Sequence, residues 1–207
     1  MRSLTFWAIL LLSFSTAHSQ NLIGGVRIAV NIATSTGKIP DFPDDNFKSR
    51  AGFNAELYST LTWNSLFGAQ LGVGYSEQGA RYEIVRQDTS GQSTESHSMN
   101  LQYLNFPVVF RWTPVERIHV LLGPQVGVLL RARDRVSISG SNSSERLDER
   151  RDEFRPVAVD GLVGVAFYLT PSLFVDARYT ISFNDVTKAS TNNHNSVLSF
   201  GLGIGLD

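Results

Sequence analysis

The chain contains no cysteine among its 207 residues. That excludes a disulfide-stapled scaffold and any thiolate-held metal. It lacks a charge excess as well, since 18 Lys and Arg stand against 19 Asp and Glu for a formal net charge of -1. Without a basic surplus there is no electrostatic drive toward nucleic acid. No stretch beyond residue 20 is apolar enough to cross a bilayer as a helix, and mean hydropathy is only -0.06. A β-barrel escapes this test because only alternate residues of each strand face lipid.

The first residues form a targeting segment. Arg2 precedes an apolar run from Leu4 to Phe14, and Ala17-His18-Ser19 ends in a small residue with another two places before it. Residues 1–19 are therefore expected to be a cleaved signal peptide, leaving 20–207 as one exported domain.

The organising stretch is Ser196 to Leu206. Leu198, Phe200, Leu202, Ile204 and Leu206 share one parity, while Ser199, Gly201, Gly203 and Gly205 share the other. Side chains alternate across a strand, so one face is wholly apolar and the other nearly bare. The same alternation recurs upstream, predicting strands over 23–33, 50–61, 66–85, 97–112, 117–133, 154–169 and 173–183. Pro107 inside the fourth of these marks an expected bulge or kink. Short turns at 62–65, 113–116 and 170–172 alternate with polar connections at 34–49, 87–96, 134–153 and 184–195. Eight strands joined in this way predict an all-β, antiparallel up-and-down transmembrane barrel, with long loops at one rim and tight turns at the other.

Eight strands leave a bore that side chains fill, so no open pore is expected. The inward parity carries Arg27, Glu56, Arg111, Arg131, Asp160, Asp176 and Arg178. Charges of both signs in a narrow interior must pair, and these seven are read as a structural polar network. No catalytic, cofactor or metal site is assigned. His97, between Ser96 and Ser98 and close to Glu95, is the nearest approach to a hydrolytic constellation, but a GxSxG elbow is missing. Asp41, Asp44 and Asp45 lack the spacing of a calcium loop. The run Glu145 to Glu153 mixes both signs as a solvated segment does.

The segments GVRIAVNIA (Gly25 to Ala33), AGFNAEL (Ala51 to Leu57), LGVGYSEQGARY (Leu71 to Tyr82), YLNFPVVFRW (Tyr103 to Trp112) and GPQVGVLL (Gly123 to Leu130) resemble the PorT-like outer-membrane β-barrel family of Bacteroidetes-type bacteria. The resemblance spans the mature chain and implies an outer-membrane location, a possible link to secretion or surface functions, and no catalytic residues. The expected partners are outer-membrane lipids, and a protein or surface ligand met by the long loops; a closed barrel has no edge demanding a second copy. Two alternatives invert or extend this reading. One is a soluble lipocalin-like barrel with the apolar parity lining a ligand cavity. The other is a lipid-modifying enzyme that depends on His97.

Overall fold

Period-two alternation of large apolar and small or polar residues yields ten strands in a computed structural model that describes residues 21–36, 48–88, 91–139, 144–188 and 193–206. They are β1 (Asn21–Thr36), β2 (Lys48–Thr62), β3 (Phe67–Gln78), β4 (Ala80–Asp88), β5 (Gly91–Val115), β6 (Ile118–Ser139), β7 (Ser144–Glu149), β8 (Val157–Tyr168), β9 (Leu173–Ser182) and β10 (His194–Leu206). Each pairs antiparallel with its neighbours, and eight of them close a ring in the order β1, β2, β3, β5, β6, β8, β9, β10. First and last strands seal it along thirteen rungs from Gly24↔Leu206 to Thr36↔His194. β4 carries β3 onward past Gly79, whose φ of 126° suits only glycine, and β7 folds back along the end of β6.

The two faces separate as the alternation requires. Leu57, Leu71, Leu122, Val165, Phe200 and Leu202 point outward and are exposed, Leu122 by 59%. Arg27, Asn31, Glu56, Asp160, Asp176 and Arg178 point inward and are buried. A water-soluble barrel would have these faces reversed, so the lipocalin-like arrangement is ruled out. An apolar belt of this extent is stable against hydrocarbon rather than water.

Three sequence expectations need correction. The polar stretch 87–96 is mostly strand, because β4 runs to Asp88 and β5 resumes at Gly91 with rungs such as Arg86↔Ser93. Likewise β6 continues to Ser139 and pairs with β7 through the region read as loop. In these stretches the residues are polar in sequence, so backbone pairing persists without an apolar alternation to reveal it. Pro107 marks no bulge: Pro107↔Gln125 and Phe110↔Leu122 share one register, and Gly72 leaves room for its ring, since a Cβ there would lie 2.9 Å from Pro107 Cγ.

The register instead shifts between Gln102↔Arg131 and Tyr103↔Leu129, leaving Leu130 as an extra residue. Gln125, Gly127 and Leu129 face the lumen; Leu130 and Arg131 then both face outward, and Ala132 and Asp134 return to the interior.

Gly123 offers a test of how closely the strands approach. A Cβ at that position would lie 2.0 Å from the Val108 carbonyl oxygen, whereas one at Gly24 would meet nothing within 4 Å. Gly123→Ala should therefore destabilise the folded barrel by about 1–3 kcal/mol, and Gly24→Ala should change it little. Urea unfolding in lipid vesicles, read by the shift of the barrel band on unheated gels, measures both.

Candidate functional site: the charged lumen

Arg27 on β1, Glu56 on β2, and Asp176 and Arg178 on β9 all take inward parity and meet near mid-height. Arg27 Nε donates to Asp176 Oδ2 at 2.7 Å, and its Nη2 donates to Oδ1 at 2.7 Å, a two-point grip on one carboxylate. Arg178 Nε donates to the same Asp176 Oδ2 at 2.8 Å, and its Nη1 donates to Glu56 Oε2 at 2.9 Å. The chain Arg27–Asp176–Arg178–Glu56 is thus electrically balanced, with two cations and two anions.

Neutral groups complete the shell. Arg27 Nη1 donates to Asn54 Oδ1 at 2.9 Å and its Nη2 to Ser199 Oγ at 3.0 Å. Gln70 Nε2 donates to Glu56 Oε1 at 3.2 Å. Asn54, Gln70 and Ser199 share the inward parity, but as uncharged residues they carry no pairing signal in the sequence. The bare face of β10 now has a cause. A Cβ on Gly201 would lie 2.4 Å from Asp176 Oδ1 and 2.7 Å from Arg27 Nε, so the ion pair passes where that side chain would be. Gly203 yields in the same way to the Phe174 ring.

Three of the seven expected residues stand apart. Asp160 accepts from Gln125 Nε2 at 3.0 Å and from Ser182 Oγ at 2.7 Å, in a separate group held by neutral donors. Arg111 lies toward the Glu116–Arg117 turn, where it donates to Thr62 Oγ1 at 2.8 Å. There it lines a cavity of 520 Å³ with Tyr58, His119 and Tyr168. Arg131 is not in the lumen at all. The extra residue Leu130 turns it outward, where it pairs with Glu149 at 3.3 Å with both side chains largely exposed.

Around the ion cluster, a residual space of only about 20 Å³ remains among Arg27, Asn31, Glu56, Gln125 and Arg178. This is room for about one water. Below it, Tyr58, Val109, Leu121, Leu162, Ala166 and Phe174 pack together; above it, Leu101, Tyr103, Leu129, Ala132, Phe154 and Val186 do the same.

The hydrolytic constellation at His97 does not assemble. His97 Nδ1 lies 2.9 Å from Asp134 Oδ2 and its Nε2 3.3 Å from Glu95 Oε1, with the ring stacked on Tyr82 at 4.4 Å. Ser96 and Ser98 alternate to the opposite face of β5, so neither hydroxyl faces the imidazole. Among the described residues, no group of three or more His, Asp or Glu is placed to hold a metal. Asp41, Asp44 and Asp45 lie outside the described residues, as does the expected signal peptide.

A closed ring of eight antiparallel strands, apolar outside and charged within, defines an integral outer-membrane barrel. The chain belongs to the family of outer membrane protein β-barrel domains, whose pattern matches residues 18–188. Among solved structures it is similar to Neisserial surface protein A, with 16% identity and a TM-score of 0.51 over 87% of this chain and 96% of that one. It is also similar to the attachment invasion locus protein of Yersinia pestis in complex with the heparin analogue sucrose octasulfate. That match has 15% identity and a TM-score of 0.47 over 90% of this chain and 99% of the other. No curated protein matches the sequence.

Asp176 holds both lumen guanidinium groups. Asp176→Ala would leave two buried cations facing each other, and the folded barrel should lose about 3–5 kcal/mol. Arg131→Ala should cost less than about 1 kcal/mol, as expected of an exposed pair. Urea titrations of the refolded variants in vesicles, followed by tryptophan fluorescence, check the contrast.

Proposed function

We propose that this is a plugged, non-enzymatic barrel of the outer membrane, whose role is structural or is an interaction made by the polar segments that project beyond the lipid belt. The residual 20 Å³ around the Arg27–Asp176–Arg178–Glu56 cluster supports it most directly, since no hydrated ion passes such a gap. The seven polar lumen residues of the sequence reading thereby reduce to four that brace the wall at one level, with Asp160 and Arg111 bracing it elsewhere.

The projecting segments carry the interaction. β5 and β6 run for 25 and 22 residues, about twice what a tilted strand needs to cross the membrane. Their extensions with β4 and β7 lie on one side, opposite the short turns at Asn64, Glu116 and Thr170. By the rule for such barrels the extensions face outside the cell and the turns face the periplasm. Within the family, the resemblance of the segment YLNFPVVFRW supports a PorT-like barrel, and a cleaved leader over residues 1–19 delivers it to the periplasm. The closed ring favours a monomer.

The lack of native cysteine makes sidedness directly measurable. A single cysteine at the exposed Arg146 should react with a membrane-impermeant maleimide on intact cells, and one at Asn64 should react only after the outer membrane is permeabilised. The reverse pattern would invert the orientation. In planar bilayers the purified protein should give no stepwise conductance, and a steady open channel would refute the plugged lumen.

A further inference from the structure

The lumen widens at the turn rim. The cavity that Arg111 lines there measures about 520 Å³, against about 20 Å³ around the ion cluster. An eight-stranded bore is ordinarily filled by side chains, so a space of this size needs a cause. Part of the cause is Gly205, the inward residue of β10 at this level. Packing does not demand glycine there: a Cβ would lie 3.5 Å from Ile23 Cγ2 and 3.7 Å from the Ser172 carbonyl oxygen, which are ordinary contacts. Gly201 and Gly203 differ, since a Cβ on either would collide with the Arg27–Asp176 pair or with Phe174. Those two glycines make room for a neighbour, whereas Gly205 leaves the space open.

The cavity is blind and its walls are amphipathic. Rings run along one side: His119 lies 4.3 Å from Tyr168, Tyr168 stacks on Phe174 at 5.1 Å, and Phe174 meets Tyr58 edge-on at 6.0 Å. Phe174 packs with Val109, Leu121 and Leu162 to close the floor toward the ion cluster. Around this rim the strands stay paired, as at Thr62↔Gly68, Phe67↔Trp112, Ile118↔Phe167 and Gly24↔Leu206. Access is therefore from water, past the turns, and not from lipid.

Arg111 supplies charge to this wall. Its Nη2 donates to Thr62 Oγ1 at 2.8 Å, and the guanidinium lies beside the Tyr168 hydroxyl; both partners are neutral. Its Nε is buried and meets no acceptor among the described residues. The carboxylates deeper in the lumen, Asp176 and Glu56, are already bonded to Arg27 and Arg178. At the mouth stand Glu116 and Arg117, exposed and of opposite sign, so two arginines line the cavity against one carboxylate. A guanidinium held by neutral groups, away from bulk water, gains most from an anion.

We propose that this cavity binds a water-soluble organic monoanion, a carboxylate carried on an aromatic body, with the carboxylate on Arg111 and the body against Tyr168, His119 and Tyr58. One surplus cation matches one negative charge, and the ring-lined wall matches an apolar, flat body. The volume of 520 Å³ falls within the range of about 300–1,000 Å³ typical of small-molecule sites. That the mouth opens to the periplasm rests on the proposed orientation of the barrel, whereas the binding itself does not.

The test uses the full mature barrel in phosphatidylcholine nanodiscs, which have no sidedness, so a failed orientation and a failed binding site give separate results. Amide NMR spectra are titrated with 2-naphthylacetate and with its neutral counterpart, 2-naphthylacetamide. The acid should shift the resonances of Arg111, His119 and Tyr168 saturably. It should bind at least about tenfold more tightly than the amide, the scale of one charge-assisted hydrogen bond. Arg111→Gln should remove that preference, and Arg111→Lys should restore part of it. Gly205→Leu, which keeps the cation but fills the space, should weaken both ligands. Arg155→Gln, at the opposite rim, should change neither. The heat-shifted gel band confirms that each variant still closes, and the comparison of acid with amide on the unsubstituted barrel decides the matter even where a variant does not fold. Equal affinity for the two ligands, an acid preference that survives Arg111→Gln, or shifts spread over the lipid-facing Leu71 and Leu122 would overturn the proposal. None of these results bears on the plugged lumen, which conductance tests separately.

Discussion

Hydrocarbon offers no partner to a backbone amide, so each strand that crosses it must find both neighbours within the protein. The seam between β1 and β10 is where this requirement is hardest to meet, because it joins the first and last strands. Its thirteen rungs turn a sheet with two raw edges into a wall with none. The remaining features follow from closure: eight strands set a narrow bore, and a narrow bore must be filled without voids or unpaired charge.

The filling combines long and absent side chains. Arg27 of β1 reaches across to Asp176 of β9 because β10 contributes Gly201 where the pair passes. Two carboxylates, Asp176 and Glu56, neutralise them, and Asn54, Gln70 and Ser199 take up further hydrogen-bonding capacity. Aromatic and aliphatic packing above and below excludes bulk water, which makes the central ion pairs dependent on one another. Removing one partner strands the next, whereas a surface pair such as Arg131–Glu149 is screened on every side.

Period-two alternation made most of this legible. The inward positions of Arg27, Glu56, Asp176 and Arg178 and the outward position of Leu198 to Leu206 follow from parity alone. Parity cannot reveal a bulge, however, and the single extra residue at Leu130 put Arg131 on the wrong side. Nor does it mark where strands stop once the apolar outward face ends, so the hairpins formed by β4 with β5 and by β6 with β7 read as loops in the sequence. Asp134, in one such stretch, is fully buried against His97, a contact no local pattern signals. The clustering of four lumen charges, rather than seven, depended on height along the barrel, which strand tilt and stagger determine.

The bulge at Leu130 also separates two regimes of sequence change. Below it, adding or deleting one residue would invert every side chain of β6 and drive the lumen set into lipid. Above it, the phase has already been reset once, and the outward positions Arg131 and Arg135 are exposed and polar. Length variation in the hairpin formed by β6 and β7 is thus insulated from the membrane-spanning wall. The exposed end of the barrel is free to diversify while the wall that carries it stays constant.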